Sequence, residues 1–189
     1  KHSNDKYYLQ LDIRKYYYNI NHNILRNFIS KIIKDERIVN LIMLFVDTVK
    51  GIGLFVGNVL SQLFGLIYLS PLDHFIKRVL KIKHYIRYVD DFVLVGLEKS
   101  EAHILKSKIE SFLKDNLNLE LSKFRIAKIK QGCNFVGFRT WKRVKFIRKH
   151  TLHNFSKAVK LQKEASIISI LGHAKHSSSH KYLISKLGA

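Results

Sequence analysis

Apolar and polar positions alternate through YYLQLDI, where Leu9, Leu11 and Ile13 fall on one side and Tyr8, Gln10 and Asp12 on the other. That period of two predicts a strand with one buried face, delivering Asp12 away from the main apolar layer. A period near 3.6 follows. Ile24, Leu25, Phe28, Ile29, Ile32 and Ile33 predict one helix behind the caps Asn21 and Asn23, and Ile38, Leu41, Ile42, Phe45, Val46 and Val49 predict a second core-facing helix ending before Gly51. A long apolar helix opens near Ser61 and Gln62, and Pro71 predicts a kink or, preferred here, a restart with Ser70 as cap. Residues 85–89 and 92–95 are β-branched and aromatic and predict a hairpin with Asp90 and Asp91 at its bend. Ala102, Leu105, Ile109, Phe112 and Leu113 predict a further helix capped by Ser100, and residues 124–130, 134–138 and 141–147 read as short strands. Leu152, Phe155 and Val159, then Ile167, Ile170 and Leu171, then Tyr182, Leu183 and Leu187 space as three closing helices. The order predicts an α+β fold, an antiparallel sheet with helices packed on one face, followed by a small helical appendage.

Charge adds a partner to this picture. Lys and Arg total 34 against 14 Asp and Glu, for a net charge of +20 on 189 residues of which 47% are hydrophobic. Solubility needs far less charge, so a polyanion is expected, and cations spread through folded segments favour nucleic acid over a membrane. Residues 142–189 carry eleven Lys or Arg and one acid, Glu164, which marks them as a second, basic region after residues 1–141. The single cysteine, Cys133, excludes an internal disulfide and fits a reducing compartment. No signal peptide, transmembrane run or low-complexity tail is legible. The chain starts at Lys1 inside a folded-looking stretch, as a piece of a longer protein would.

Candidate chemistry centres on the bend. Adjacent acids within a strand face opposite ways, so only at a turn do Asp90 and Asp91 approach one site, where they repel each other and call for a cation. With Asp12 they make three carboxylates on two strands of one sheet, a donor set suited to a pair of magnesium ions, a triphosphate and an attacking hydroxyl. The glycine-spaced GIGLFVG before the long helix permits close backbone approach and leads to a helix N-terminus that favours anions. His150, His153, His173, His176 and His180 crowd the basic region, but the lone cysteine is remote and acids are nearly absent, so backbone contacts or surface positions are expected rather than zinc.

Five segments in this order, LDIRKYYYNI, VGNVLSQLF, RYVDDFVLVG, the stretch near LELSKFRIAKI, and NFVGFRTW, resemble the successive palm motifs of reverse transcriptases. VGNVLSQ is most similar to the enzymes of diversity-generating retroelements, which have an aliphatic residue before GxxxSQ, and LGHAKHSSS resembles the thumb of that group. The resemblance implies an RNA-directed DNA polymerase with a palm at 1–141, fingers largely missing, and a thumb at 142–189. Only eleven residues precede Asp12, so unaided polymerisation is not expected of this piece.

By the same resemblance, Asp12 and Asp90 bind two magnesium ions, Asp91 completes the acidic cluster, and Ile13 lends a backbone carbonyl. Tyr17, five positions after Asp12, closes the sugar pocket against a ribose 2′-hydroxyl. RNA-dependent RNA polymerases usually place a carboxylate there. Val56 and Gly57 meet the incoming nucleotide, Ser61 and Gln62 the nascent pair and template, and Lys123 or Arg125 the leaving phosphate. Phe135, Val136, Gly137 and Phe138 form the primer grip. The implied partners are an RNA template, a DNA or RNA primer, deoxynucleoside triphosphates and a basic accessory variability protein, in the cytoplasm of a bacterium or from a phage. A group II intron, retron or phage-defence enzyme, or a noncatalytic RNA-binding module, are the alternatives.

Overall fold

The computed structural model describes residues 6–187, in two compact units, 6–127 and 128–187. In the first, strands β1 (Tyr7–Ile13), β2 (His84–Tyr88), β3 (Asp91–Leu97) and β4 (Leu121–Lys128) form a four-stranded sheet in the order β2-β3-β1-β4. β3 pairs antiparallel with both β1 and β2, and Asp12 stands opposite Asp91 in the register. The alternation seen in the sequence sets this register: Leu9 and Leu11 pair with Leu94 and Phe92, so all four side chains enter the same buried layer. Helices α1 (His22–Ile32), α2 (Glu36–Val46), α3 (Val59–His74) and α4 (Lys99–Leu117) supply the rest of that layer through Leu25, Ile29, Met43, Tyr68, Leu72, Ile109 and Leu113.

Local chemistry explains the boundaries. Asn21 caps α1 by accepting from Ile24 N–H, and Asn58 caps α3 by accepting from Leu60 N–H at 2.7 Å. The cap of α4 is Glu98 in a capping box with Glu101, not Ser100. Pro71 neither stops nor restarts α3. The helix runs through it and continues as a π-helical turn, Phe75–Val79, because Tyr68, Leu69, Leu72 and Ile76 form one buried stripe spanning the imino acid. Val59–Val79 is therefore one segment long and apolar enough to cross a membrane by length and composition, a run hidden when Pro71 is read as a break, while those four side chains sit in the protein core. α2 also turns differently from expectation. Val39, Met43 and Val46 face inward and Ile38, Leu41 and Phe45 are exposed, since a helix apolar on nearly every side gives no unique core face by spacing.

The second unit holds β5 (Cys133–Phe135), β6 (Phe138–Thr140) and β7 (Lys145–Ile147) in a three-stranded antiparallel sheet, then α5 (Lys149–Lys160), α6 (Glu164–Ala174) and α7 (His180–Ser185). The expected strand at 134–138 is split by a turn at Val136 and Gly137, both at positive φ, and the expected strand at 141–147 begins only at Lys145. Ile147, Phe155, Ala174 and Leu183 make its small core, with Phe138 packed against it. The unit thus starts at residue 128 and includes the sheet; a boundary at 142 falls inside the β6–β7 hairpin, because Phe138 and Ile147 share one core with the helices.

Candidate active site

The hairpin that carries the acids bends over two residues, Val89 and Asp90, with Tyr88 opposite Asp91. Asp91 is the first residue of β3 rather than part of the bend. Its carboxylate accepts from Gln10 Nε2 at 3.0 and 3.3 Å. Asp12 ends β1 on the same sheet face, and its carboxylate accepts a hydrogen bond from the Ser122 hydroxyl of β4. Asp90 is half-buried, and burial pushes its carboxyl above the ordinary range, with the negative charge of Asp12 acting in the same direction and its own backbone hydrogen bond opposing. The β1–β3 register sets Asp12 opposite Asp91, the residue directly after Asp90, although the two strands are far apart in the chain.

Among the described residues no three His, Cys, Asp or Glu side chains form a group able to hold a metal ion by themselves. The histidines of the second unit form no such group either, and the His173 ring instead stacks on Phe138 at 4.4 Å. The carboxylates of Asp12, Asp90 and Asp91 at this end of the sheet suit magnesium, which binds through one or two carboxylates and completes its shell with water and substrate phosphates.

A network absent from the sequence reading fixes the bend. Arg87 of β2 donates from Nε to Asp73 Oδ1 at 2.8 Å and from Nη2 to Asp73 Oδ2, while its Nη1 donates to the Val89 carbonyl at 3.0 Å. Tyr85 Oη donates to the same Asp73 at 2.6 Å. Burial alone would lower the Arg87 pKa, yet the paired Asp73 carries it above its ordinary value. Val89 lies at φ 56°, a conformation costly for a β-branched residue, and Arg87 grips its carbonyl directly before Asp90. Arg87 shares the less exposed side of β2 with Tyr85, and Asp73 is the one acid of α3.

Beside the bend lies a cavity of about 470 Å³ lined by Tyr17, Val56, Gly57, Ser61, Gln62 and Arg87, among others. Five sequence-predicted residues from two separate segments thus meet at one place. Tyr17 lies in a short 3₁₀ turn, Tyr16–Asn19, begun by Lys15 in the left-handed region, and its phenol is pushed above its usual pKa by burial and then by Asp90 and Tyr88. Gly65 admits the ring, since a Cβ there would lie 3.0 Å from Tyr17 Cε1. The loop bearing Val56 and Gly57 is tied back by His22, whose ring nitrogens meet Asp47 Oδ1 at 2.8 Å and the Gly53 carbonyl at 2.7 Å. On the other side of the acids, Lys123 and Arg125 of β4 line a depression of about 330 Å³ with Gln10, Asp12 and Asp91. Phe135, Val136, Gly137 and Phe138 belong to the second unit, where they form the β5–β6 hairpin and Gly137 lies against His173.

The profile of the family described as reverse transcriptase (RNA-dependent DNA polymerase) matches residues 1–140. Among solved structures, telomerase from Candida albicans in complex with a TWJ fragment of telomeric RNA aligns over 96% of this chain and 40% of its own, at 12% identity and TM-score 0.61. Apo telomerase from Candida tropicalis aligns over 78% and 33%, at 17% identity and TM-score 0.60. The foamy viral protease-reverse transcriptase in complex with RNA/DNA hybrid aligns over 98% and 24%, at 18% identity and TM-score 0.55. At these identities the likeness is one of fold, and the chain spans between 24% and 40% of the length of these three structures. No curated protein sequence matches it.

Proposed function

This chain belongs to the reverse transcriptase (RNA-dependent DNA polymerase) family, and we propose that it forms the catalytic part of an enzyme that copies an RNA template into DNA. The observation that supports the reading is the β1–β3 register, which sets Asp12 opposite Asp91 at the hairpin bend that carries Asp90, beside the cavity walled by Tyr17, Gly57 and Gln62. In this reading Asp12 and Asp90, with the Ile13 carbonyl, hold two magnesium ions, and Asp91 supports the site through Gln10. Magnesium bound there supplies charge neutralisation for the triphosphate and acidifies the primer hydroxyl. The chain's own part is positional. Ser122 orients Asp12, Arg87 and Asp73 hold the bend, and Lys123 and Arg125 offer positive charge near the acids. Tyr17 would crowd a ribose 2′-hydroxyl and so favour deoxynucleotides.

Primer extension on an RNA template tests this directly. Asp12→Asn and Asp90→Asn are each expected to lower magnesium-dependent extension by more than about 1,000-fold. Undiminished extension in either variant would sink the assignment.

We further propose that the enzyme serves a diversity-generating retroelement, with a structured template RNA and a basic accessory protein as partners. VGNVLSQ supports this, and the structure has Val56 lining the Tyr17 cavity, where a glutamine in many relatives would offer a polar contact. Val56→Gln is expected to reduce misincorporation opposite template adenines by several-fold in sequenced cDNA. Unchanged adenine errors would remove Val56 from the explanation.

A further inference from the structure

The β5–β6–β7 sheet has two unlike faces. Phe138 and Ile147 point into the helical core, whereas the register puts Arg139 opposite Phe146 on the other side. Trp141 joins that outer face, edge-on to Phe146 at 5.8 Å between ring centroids, and Phe146 stays 39% exposed. Large aromatic rings left on the solvent side of a sheet call for a partner, and the surroundings say which.

The aromatics are held in place before anything binds. Trp141 Nε1 donates to the Lys130 carbonyl at 3.2 Å, and the indole rests on Gly132, where a Cβ would come within 2.6 Å of the ring. Arg139 donates twice to the Gln131 carbonyl, which fixes its guanidinium 5.2 Å from the indole centroid. Around Trp141 and Phe146 opens a depression of about 440 Å³ whose rim carries Lys130, Lys142 and Arg143. From Glu120 to Glu164 the sequence contains no acidic residue, so nothing on these strands offsets the cations.

Ordered aromatics between unopposed cations fit a flexible polyanion that offers flat rings at intervals, which describes single-stranded nucleic acid. A simple anion would leave Phe146 and Val144 unused, and an apolar peptide would leave Lys130, Lys142 and Arg143 uncompensated. We propose that the outer face of the β6–β7 hairpin is a binding site for single-stranded nucleic acid, with a base seated against Trp141 and Phe146 and the flanking phosphates on Lys130, Lys142 and Arg143. The site lies outside the sequence-predicted primer grip at residues 135–138. It shares with the polymerase reading only the class of partner and involves no nucleotide addition.

Trp141 is the single tryptophan of the chain, so its emission reports this site alone. The full chain is titrated with an unstructured 12-nucleotide RNA at about 0.1 M salt, with EDTA and without nucleotides, so that a failure of primer extension leaves the result untouched. Saturable quenching is expected. Its apparent affinity should fall at least tenfold in Phe146→Ala and in the double variant Lys142→Glu/Arg143→Glu, whose exposed side chains can change without unfolding the sheet. Heparin, a polyanion without bases, and a blunt duplex of the same sequence should bind with little quenching. No quenching at RNA concentrations that saturate the protein by filter binding would overturn the proposal. So would equal quenching by heparin or duplex, or undiminished affinity in the double variant.

Discussion

The two units solve the same folding problem at different scales. Residues 6–127 bury a continuous layer from four strands and four helices, and the acids sit at its edge on backbone fixed by that layer. Residues 128–187 close around four fully buried side chains, one of them alanine from α5's neighbour α6, and carry 14 Lys or Arg against one acid. A site that must hold two carboxylates against their repulsion needs the larger core. A surface that meets a flexible polyanion needs charge and a few ordered rings.

Phe155→Ala should divide the units most sharply. It removes the largest side chain of the small core and is expected to cost about 3–5 kcal/mol there, so hydrogen exchange should rise across 133–185 while the β1–β3 amides remain protected. Uniform loss of protection would show that the units fold as one. Arg87→Met tests the other side. It leaves Asp73 without its ion-pair partner and is expected to cost about 2–3 kcal/mol, discounted because Asp73 is partly exposed. Nucleotide addition should fall through kcat by roughly tenfold or more, with a smaller change in the KM for nucleotide and partial recovery in Arg87→Lys. Equal effects on kcat and KM would reduce the Asp73–Arg87 pair to ordinary scaffolding.

The smallest effect concerns Asp90. Its folded pKa is raised, so the native state binds its proton more readily than the unfolded chain and stability declines as pH rises through the interval between the two values. At neutral pH Asp90→Asn should therefore raise Tm by about 2 °C while abolishing extension, and the difference should shrink on acidification. A lower Tm would mean that the carboxylate stabilises the fold instead.

Period-two and period-3.6 patterns gave β1, β3 and the helices because one face of each is buried against the core. They failed where that premise failed. α2 is apolar on both sides, so Ile38, Leu41 and Phe45 were assigned inward when Val39 and Met43 hold that position. Pro71 reads locally as a break, yet a long-range stripe of buried side chains overrides it. Of the site, Asp12, Asp90, Tyr17 and the GIGLFVG loop were legible because motif order carries them. Asp73, Ser122 and His22 were not, since each acts through a partner more than a dozen positions away and no local spacing announces such a pair.

α3 begins with Ser61 and Gln62 in the Tyr17 cavity and ends with Asp73 on Arg87. Sixteen residues make a rod of roughly 24 Å. One element therefore lines the cavity with its first turn and holds the ion pair behind the hairpin with its last. The imino acid two positions before Asp73 sits where that rod would flex.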